Sequence, residues 1–116
     1  MNIQILKSEV ANRQSSITIT GSKSESNRLL ILQALFPGIQ IENLSNSDDS
    51  RVMQQALSST DDLVDIHHAG TAMRFLTAYF SQVEGRETIL TGSSRMKERP
   101  IKILVDAIKS LGAEYS

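Results

Sequence analysis

Three segments hold the residues of this chain best suited to chemistry: Gly21-Ser22-Lys23-Ser24-Glu25-Ser26-Asn27-Arg28, Ala69-Gly70-Thr71-Ala72-Met73-Arg74 and Thr91-Gly92-Ser93-Ser94-Arg95-Met96-Lys97-Glu98-Arg99-Pro100. Each sets glycine, small hydroxyls and a fixed cation where a strand is expected to give way to a helix. Chains use that arrangement to receive phosphate or carboxylate, because the first amides of a helix are unpaired and carry partial positive charge. In the first segment, helical spacing predicts Ser24, Asn27 and Arg28 on one face. Arg28 can grip an oxyanion with two parallel hydrogen bonds, whereas Lys23 is a mobile point charge. The segment is not a Walker A loop, since serine and not glycine precedes Lys23. In the second, Gly70 and Thr71 stand at a predicted helix N-terminus with Arg74 one turn on. In the third, Arg95, Lys97 and Arg99 crowd the approach to the last helix, and a doubly charged small anion could bridge them to Lys23 if the fold brings them together. Taken singly, each segment also fits an ordinary helix start with solvated charges.

Other chemistries find less support. His67 and His68 are adjacent, so their side chains diverge, and no carboxylate stands at metal-binding spacing; no metal is expected. One histidine is expected to pack and the other to face solvent, with a hydrogen-bonding role open to His68 beside Gly70. Asp48 and Asp49 read as helix-capping acids before they read as catalysts, and the sequence offers no complete acid/base pair. Without cysteine there is no disulfide, thiol nucleophile or cysteine zinc site. A net charge of −1 argues against a general nucleic-acid binder, so any anion binding must be local. The N-terminus lacks the apolar stretch of a signal peptide and no run approaches a membrane span, which makes the cytoplasm the expected compartment and a membrane partner unexpected.

The elements that must position these groups follow from periodicity. Alternation predicts strands at Ile3–Ile5, at Ser16–Thr20 and at Ile39–Glu42. The run Ser26–Phe36 is apolar on nearly all sides and predicts a buried helix stopped by Pro37-Gly38. Ser47-Asp48-Asp49 should open a helix burying Val52, Met53, Ala56 and Leu57. A brief strand at Leu63–Ile66, a helix at Thr71–Phe80, a strand at Glu87–Thr91 and a last helix follow. Pro100 suits the first turn of that helix, Ile101, Leu104, Val105 and Ile108 its stripe, and Gly112 its C-terminal cap. The order after Arg28 recurs after Arg74, so the chain reads as α/β (α+β) with an internal repeat. Ala113-Glu114-Tyr115-Ser116 resembles the start of another strand, and a longer parent chain is expected.

Taken together, the three segments and Asn46-Ser47-Asp48-Asp49-Ser50-Arg51 resemble, in order, the signatures of the 5-enolpyruvylshikimate-3-phosphate synthase family. The resemblance implies transfer of the enolpyruvyl group of phosphoenolpyruvate to the 5-hydroxyl of shikimate 3-phosphate with release of phosphate, on the route to aromatic amino acids. It also implies a two-lobed enolpyruvyl transferase fold of βαβαββ units, of which this chain is a partial N-terminal lobe: an opening strand over 1–12, a first repeat over 13–58 and a truncated second over 59–116. On the matching positions Lys23 would touch both substrates as the catalytic cation, Ser24 and Arg28 would hold shikimate 3-phosphate, and Gly70, Thr71 and Arg95 would hold phosphoenolpyruvate. His68 and Arg74 would be further contacts, and no cofactor is expected. His68 stands where the family usually has asparagine and Phe75 where it usually has proline, from which altered sensitivity to the inhibitor glyphosate is expected. The family's acid/base carboxylates lie in a later part of its chain, so this piece alone is expected to be inactive, with the remainder of the parent as its partner. The sister family acting on UDP-N-acetylglucosamine lacks the Ser-Lys-Ser-x-Ser-Asn-Arg pattern; a non-catalytic phosphate-binding module is the other alternative.

Overall fold

The computed structural model describes residues 2–4, 6 and 16–115. Ser22 opens helix α1 (Lys23–Leu35), its side chain accepting from the Glu25 amide, and Ser47 opens α2 (Asp48–Ser58) in the same way through Ser50. Strand β1 (Leu63–Asp65) leads to α3 (Gly70–Ser81), which crosses over to β2 (Ile89–Thr91). The two strands are parallel, with Val64 opposite Leu90 and Asp65 opposite Thr91. A single turn, α4 (Ser94–Lys97), is capped by Ser93, and α5 (Lys102–Ser110) follows. The architecture is thus a mixed α/β arrangement around one β-α-β unit, with α1 and α2 packed beside the crossover helix.

The core lies between α2, α3 and the strand pair. Met53, Ala56, Val64, Ile66, Ala72, Leu76 and Phe80 are buried there, joined by Leu30 of α1 and Met96 of α4. On α2 the predicted face is the buried one, with Val52, Met53 and Ala56 inside and Leu57 half-buried. The α5 stripe of Ile101, Leu104, Val105 and Ile108 is likewise half-buried. Gly112 follows the end of that helix at φ +104°, a left-handed conformation that costs glycine little, and its amide bonds the Lys109 carbonyl.

Several expectations are corrected. No strand forms over the described residues 2–4, 16–20, 39–42 or 113–115; Ile5 and Ser116 lie outside the description. A strand needs a neighbour to take its alternate amides and carbonyls, and among the described residues these segments pair with none; Ile17 and Ile19 are 82% and 74% exposed. The first helix begins earlier than predicted, so Lys23 and Ser24 belong to its first turn. It is not buried on all sides either, for Leu29, Leu32 and Leu35 are exposed along one flank. Pro100 precedes the last helix and is not part of its first turn, and the cationic approach holds a helical turn of its own.

Candidate functional site

The first segment is fastened to the stretch before α2 by its small residues. Gly21 lies so close to that stretch that an added Cβ would sit 1.9 Å from the Asn43 carbonyl oxygen. Thr20 Oγ1 accepts from the Asn46 amide and Ser26 Oγ from the Ser45 amide, both at 2.9 Å. Ser45 Oγ accepts from the Ser47 amide at 3.2 Å. One turn deeper, Ser50 Oγ donates to Asn27 Oδ1 at 2.9 Å, and both residues are wholly buried. Asn27 therefore does not share the exposed face of Ser24 and Arg28, as helical spacing alone suggests; its side-chain oxygen accepts across the helix–helix interface.

That fastening leaves Ser24 and Arg28 facing outward and Lys23 at the edge of the contact with α2. Lys23 Nζ stands 3.9 Å from Asp49 Oδ2, with the lysine side chain half exposed and the carboxylate largely covered. A pair so open to water contributes about 0–1 kcal/mol. The buried Ser50–Asn27 bond constrains more, because leaving one partner of such a bond unsatisfied costs about 1–3 kcal/mol. Arg28 folds back to donate through Nη1 to the Ser24 carbonyl at 2.9 Å, and its guanidinium lies 5.7 Å from the centre of the Phe75 ring.

The N-terminus of α3 completes the group. Ala69 has no side chain to cap it, and Asp49 of α2 supplies the missing acceptor, taking the Ala72 amide on Oδ1 at 3.1 Å. Among the described residues nothing bonds the amides of Gly70 and Thr71. Arg99 leans over this end of the helix: a Cβ on Gly70 would come within 2.6 Å of its Nη1. The same face of Asp49 thus meets a lysine from α1 and a helix start from α3, and a second cation arrives from the segment after α4.

The remaining expected residues are placed differently. Arg95 is exposed on α4, and no contact of the described residues ties it to Lys23 or Gly70; Arg99, four residues on, is the member of that segment brought to α3. Arg74 is exposed on α3. Both histidines face solvent, against the expectation that one would pack. His67 adopts a left-handed backbone at φ +52°, its amide donating to Asp65 Oδ1 at 2.8 Å and its carbonyl accepting from Ser93 at 3.0 Å. It holds the ends of the two strands together. Among the described residues no cluster could hold a metal. A depression of about 260 Å³ opens beside β2, floored by Ile66, Met73 and Met96 and rimmed by Lys97 and Arg99. A larger one, about 370 Å³, lies between α1 and α2 at Gln33 and Gln54, away from Lys23, Asp49 and Gly70.

Sequence reasoning missed two residues here. Spacing points Asp49, like Asp48, to a cap of its own helix, and it groups Arg99 with Arg95 and Lys97 as cations that an anion could bridge to Lys23, without singling it out. The glycine at 70 was the available signal for Arg99, since a missing side chain marks the place where another group comes close.

The family model for EPSP synthase (3-phosphoshikimate 1-carboxyvinyltransferase) matches residues 55–116. The chain is 48% identical over 112 residues to the 3-phosphoshikimate 1-carboxyvinyltransferase of Bacteroides fragilis, covering 96% of this chain and 27% of that enzyme. It is 42% identical to the enzyme of that name from Mannheimia haemolytica, covering 90% of this chain and 31% of the relative, and 38% identical to the pentafunctional AROM polypeptide of Candida tropicalis, covering 88% and 9%. No solved structure matches. The chain belongs to the EPSP synthase family, and it spans about a quarter of the length of the B. fragilis relative.

Proposed function

We propose that this chain supplies the N-terminal part of an enolpyruvyl transferase, which moves the carboxyvinyl group of phosphoenolpyruvate to the 5-hydroxyl of shikimate 3-phosphate and releases phosphate. The observation that carries the reading is the meeting of Lys23, Asp49 and the α3 N-terminus, where a cation and unpaired amides adjoin. Both substrates are anions, and bringing them together needs positive groups that offset their repulsion and then favour charge moving onto the departing phosphate. On this reading Lys23 contacts both, Ser24 and Arg28 hold shikimate 3-phosphate, and Gly70, Thr71 and Arg95 hold phosphoenolpyruvate, with His68 and Arg74 alongside. Arg95 reaches the substrate only when the rest of the enzyme closes the opposite wall, which is also where the acid/base carboxylates belong. The β-α-β unit is then part of the second βαβαββ repeat, its outer strands completed by the remaining chain. The enzyme works in the cytoplasm, and this piece alone turns over no substrate.

The test is a chimera in which these residues replace the matching quarter of the B. fragilis enzyme. Phosphate should be released from phosphoenolpyruvate with shikimate 3-phosphate and not with UDP-N-acetylglucosamine, and Lys23→Met should lower kcat by about 10²–10³, the scale of losing one preorganised electrostatic contact. A folded chimera without turnover, or one indifferent to Lys23→Met, contradicts the reading.

A further inference from the structure

We infer that Ser50 and Asn27 are positioning residues for Lys23: their buried hydrogen bond sets α1 against α2 and thereby holds the lysine at the carboxylate that also caps α3. Lys23 and Asn27 are one helical turn apart and lie on the same side of α1. On α2, Asp49 and Ser50 are consecutive. The two cross-links between these helices therefore form a short ladder, one rung dry and one wet. The dry rung joins Ser50 Oγ to Asn27 Oδ1 at 2.9 Å, with both residues wholly buried. The wet rung joins Lys23 to Asp49 at 3.9 Å.

Of the two rungs the dry one fixes the geometry beside Lys23, since a half-exposed lysine is free to leave its carboxylate for water. It is also braced from behind: Ser47 Oγ donates to Ser50 Oγ at 3.1 Å while accepting from the Ser50 amide at 3.3 Å, so the residue that caps α2 also orients the hydroxyl that reaches α1. Asn27 Nδ2 is buried with no partner, so Ser50 supplies the side-chain hydrogen bond that Asn27 makes among the described residues. From Ser50 the constraint passes to Asp49, and through Asp49 Oδ1 to the Ala72 amide at 3.1 Å. One small hydroxyl thus sets the relation of three helix starts.

The functional half of this inference rests on Lys23 acting on substrate; the geometric half does not, and the experiment separates them. In this chain, Ser50→Ala should speed hydrogen exchange of the Ala72 amide about tenfold, the size expected when a local opening becomes easier by one order of magnitude, and that of Leu76 in the interior of α3 much less. Equal acceleration of both, or none at Ala72, overturns the inference. Should Ser50→Ala fail to fold, Ser50→Cys keeps the volume with a weaker donor and must show the same selective effect. In the chimera, Ser50→Ala should reduce kcat about tenfold by misplacing Lys23, with little further loss in a Lys23→Met background, whereas equal losses in both backgrounds contradict a role through the lysine. If Lys23→Met alone is harmless, the substrate reading fails while the exchange result still decides the geometry.

Discussion

Two glycines of the first and second segments face different neighbours, and substitution should tell them apart. Gly21 faces a backbone carbonyl 1.9 Å from its absent Cβ, a contact that cannot yield without moving the chain before α2. Gly70 faces the end of the Arg99 side chain at 2.6 Å, which can swing away. Gly21→Ala should therefore destabilise by at least about 1–3 kcal/mol, the usual cost of overpacking, while Gly70→Ala should stay within about 0.5 kcal/mol, because the shift of a flexible side-chain end is offset by the roughly 0.4–1 kcal/mol that alanine gains from a less flexible unfolded chain. Urea unfolding of the two variants is the check, and a larger loss at Gly70 would contradict it. At this scale the sequence was legible where local spacing decides, as with Ser24 and Arg28, which are exposed together on α1. It misled where a residue is engaged by a neighbour remote in sequence: Asn27 lies among the polar residues of the first segment, yet its side-chain oxygen accepts from Ser50.

Helix positions were readable from caps and periodicity because both are local. Ser47 and Gly112 stand where their types predict, and the buried face of α2 is the one its spacing named. Strands were not, because alternation states a preference while pairing requires a partner elsewhere; of the predicted strands only Leu63–Ile66 and Glu87–Thr91 find each other, each trimmed to three residues. The two acids opening α2 show the same divide. Both sit in its first turn, but Asp49 alone reaches across to cap α3 and meet Lys23. Asp49→Ala should accordingly cost about 1–2 kcal/mol, a lost cap together with a lost charge at a helix N-terminus, and Asp48→Ala only about 0.3–1 kcal/mol from the dipole of its own helix. Chemical denaturation of the pair decides; equal losses would mean that both acids serve α2 alone.

As a whole the described chain is more open than its length requires. Its radius of gyration is 18.3 Å, against about 13 Å for a compact domain of this size. Its sheet has two three-residue strands, and Leu63 and Ile89, opposite one another at the start of the pairing, are both more than half exposed. Apolar residues on α1 and α5 also face outward, Ile103 and Leu111 most of all. Such surfaces fit a chain that spans about a quarter of a relative built around the same segments. The mixed α/β class was legible because helix and strand signals are local, while the expected repeat is not seen among the described residues, where one pair of strands forms the sheet.

The central claim is that the starts of α1 and α3, joined through Asp49, form one wall of an anion site. The most direct measurement is a titration of this chain with phosphoenolpyruvate and with shikimate 3-phosphate, following backbone amide resonances. On the proposed function the rest of the enzyme supplies the opposite wall, so binding to this chain alone should be weak. The account predicts shifts concentrated at Lys23, Ser24, Gly70 and Thr71 and abolished by Lys23→Met. Shifts scattered over the surface cations, or an unchanged response in Lys23→Met, would contradict it.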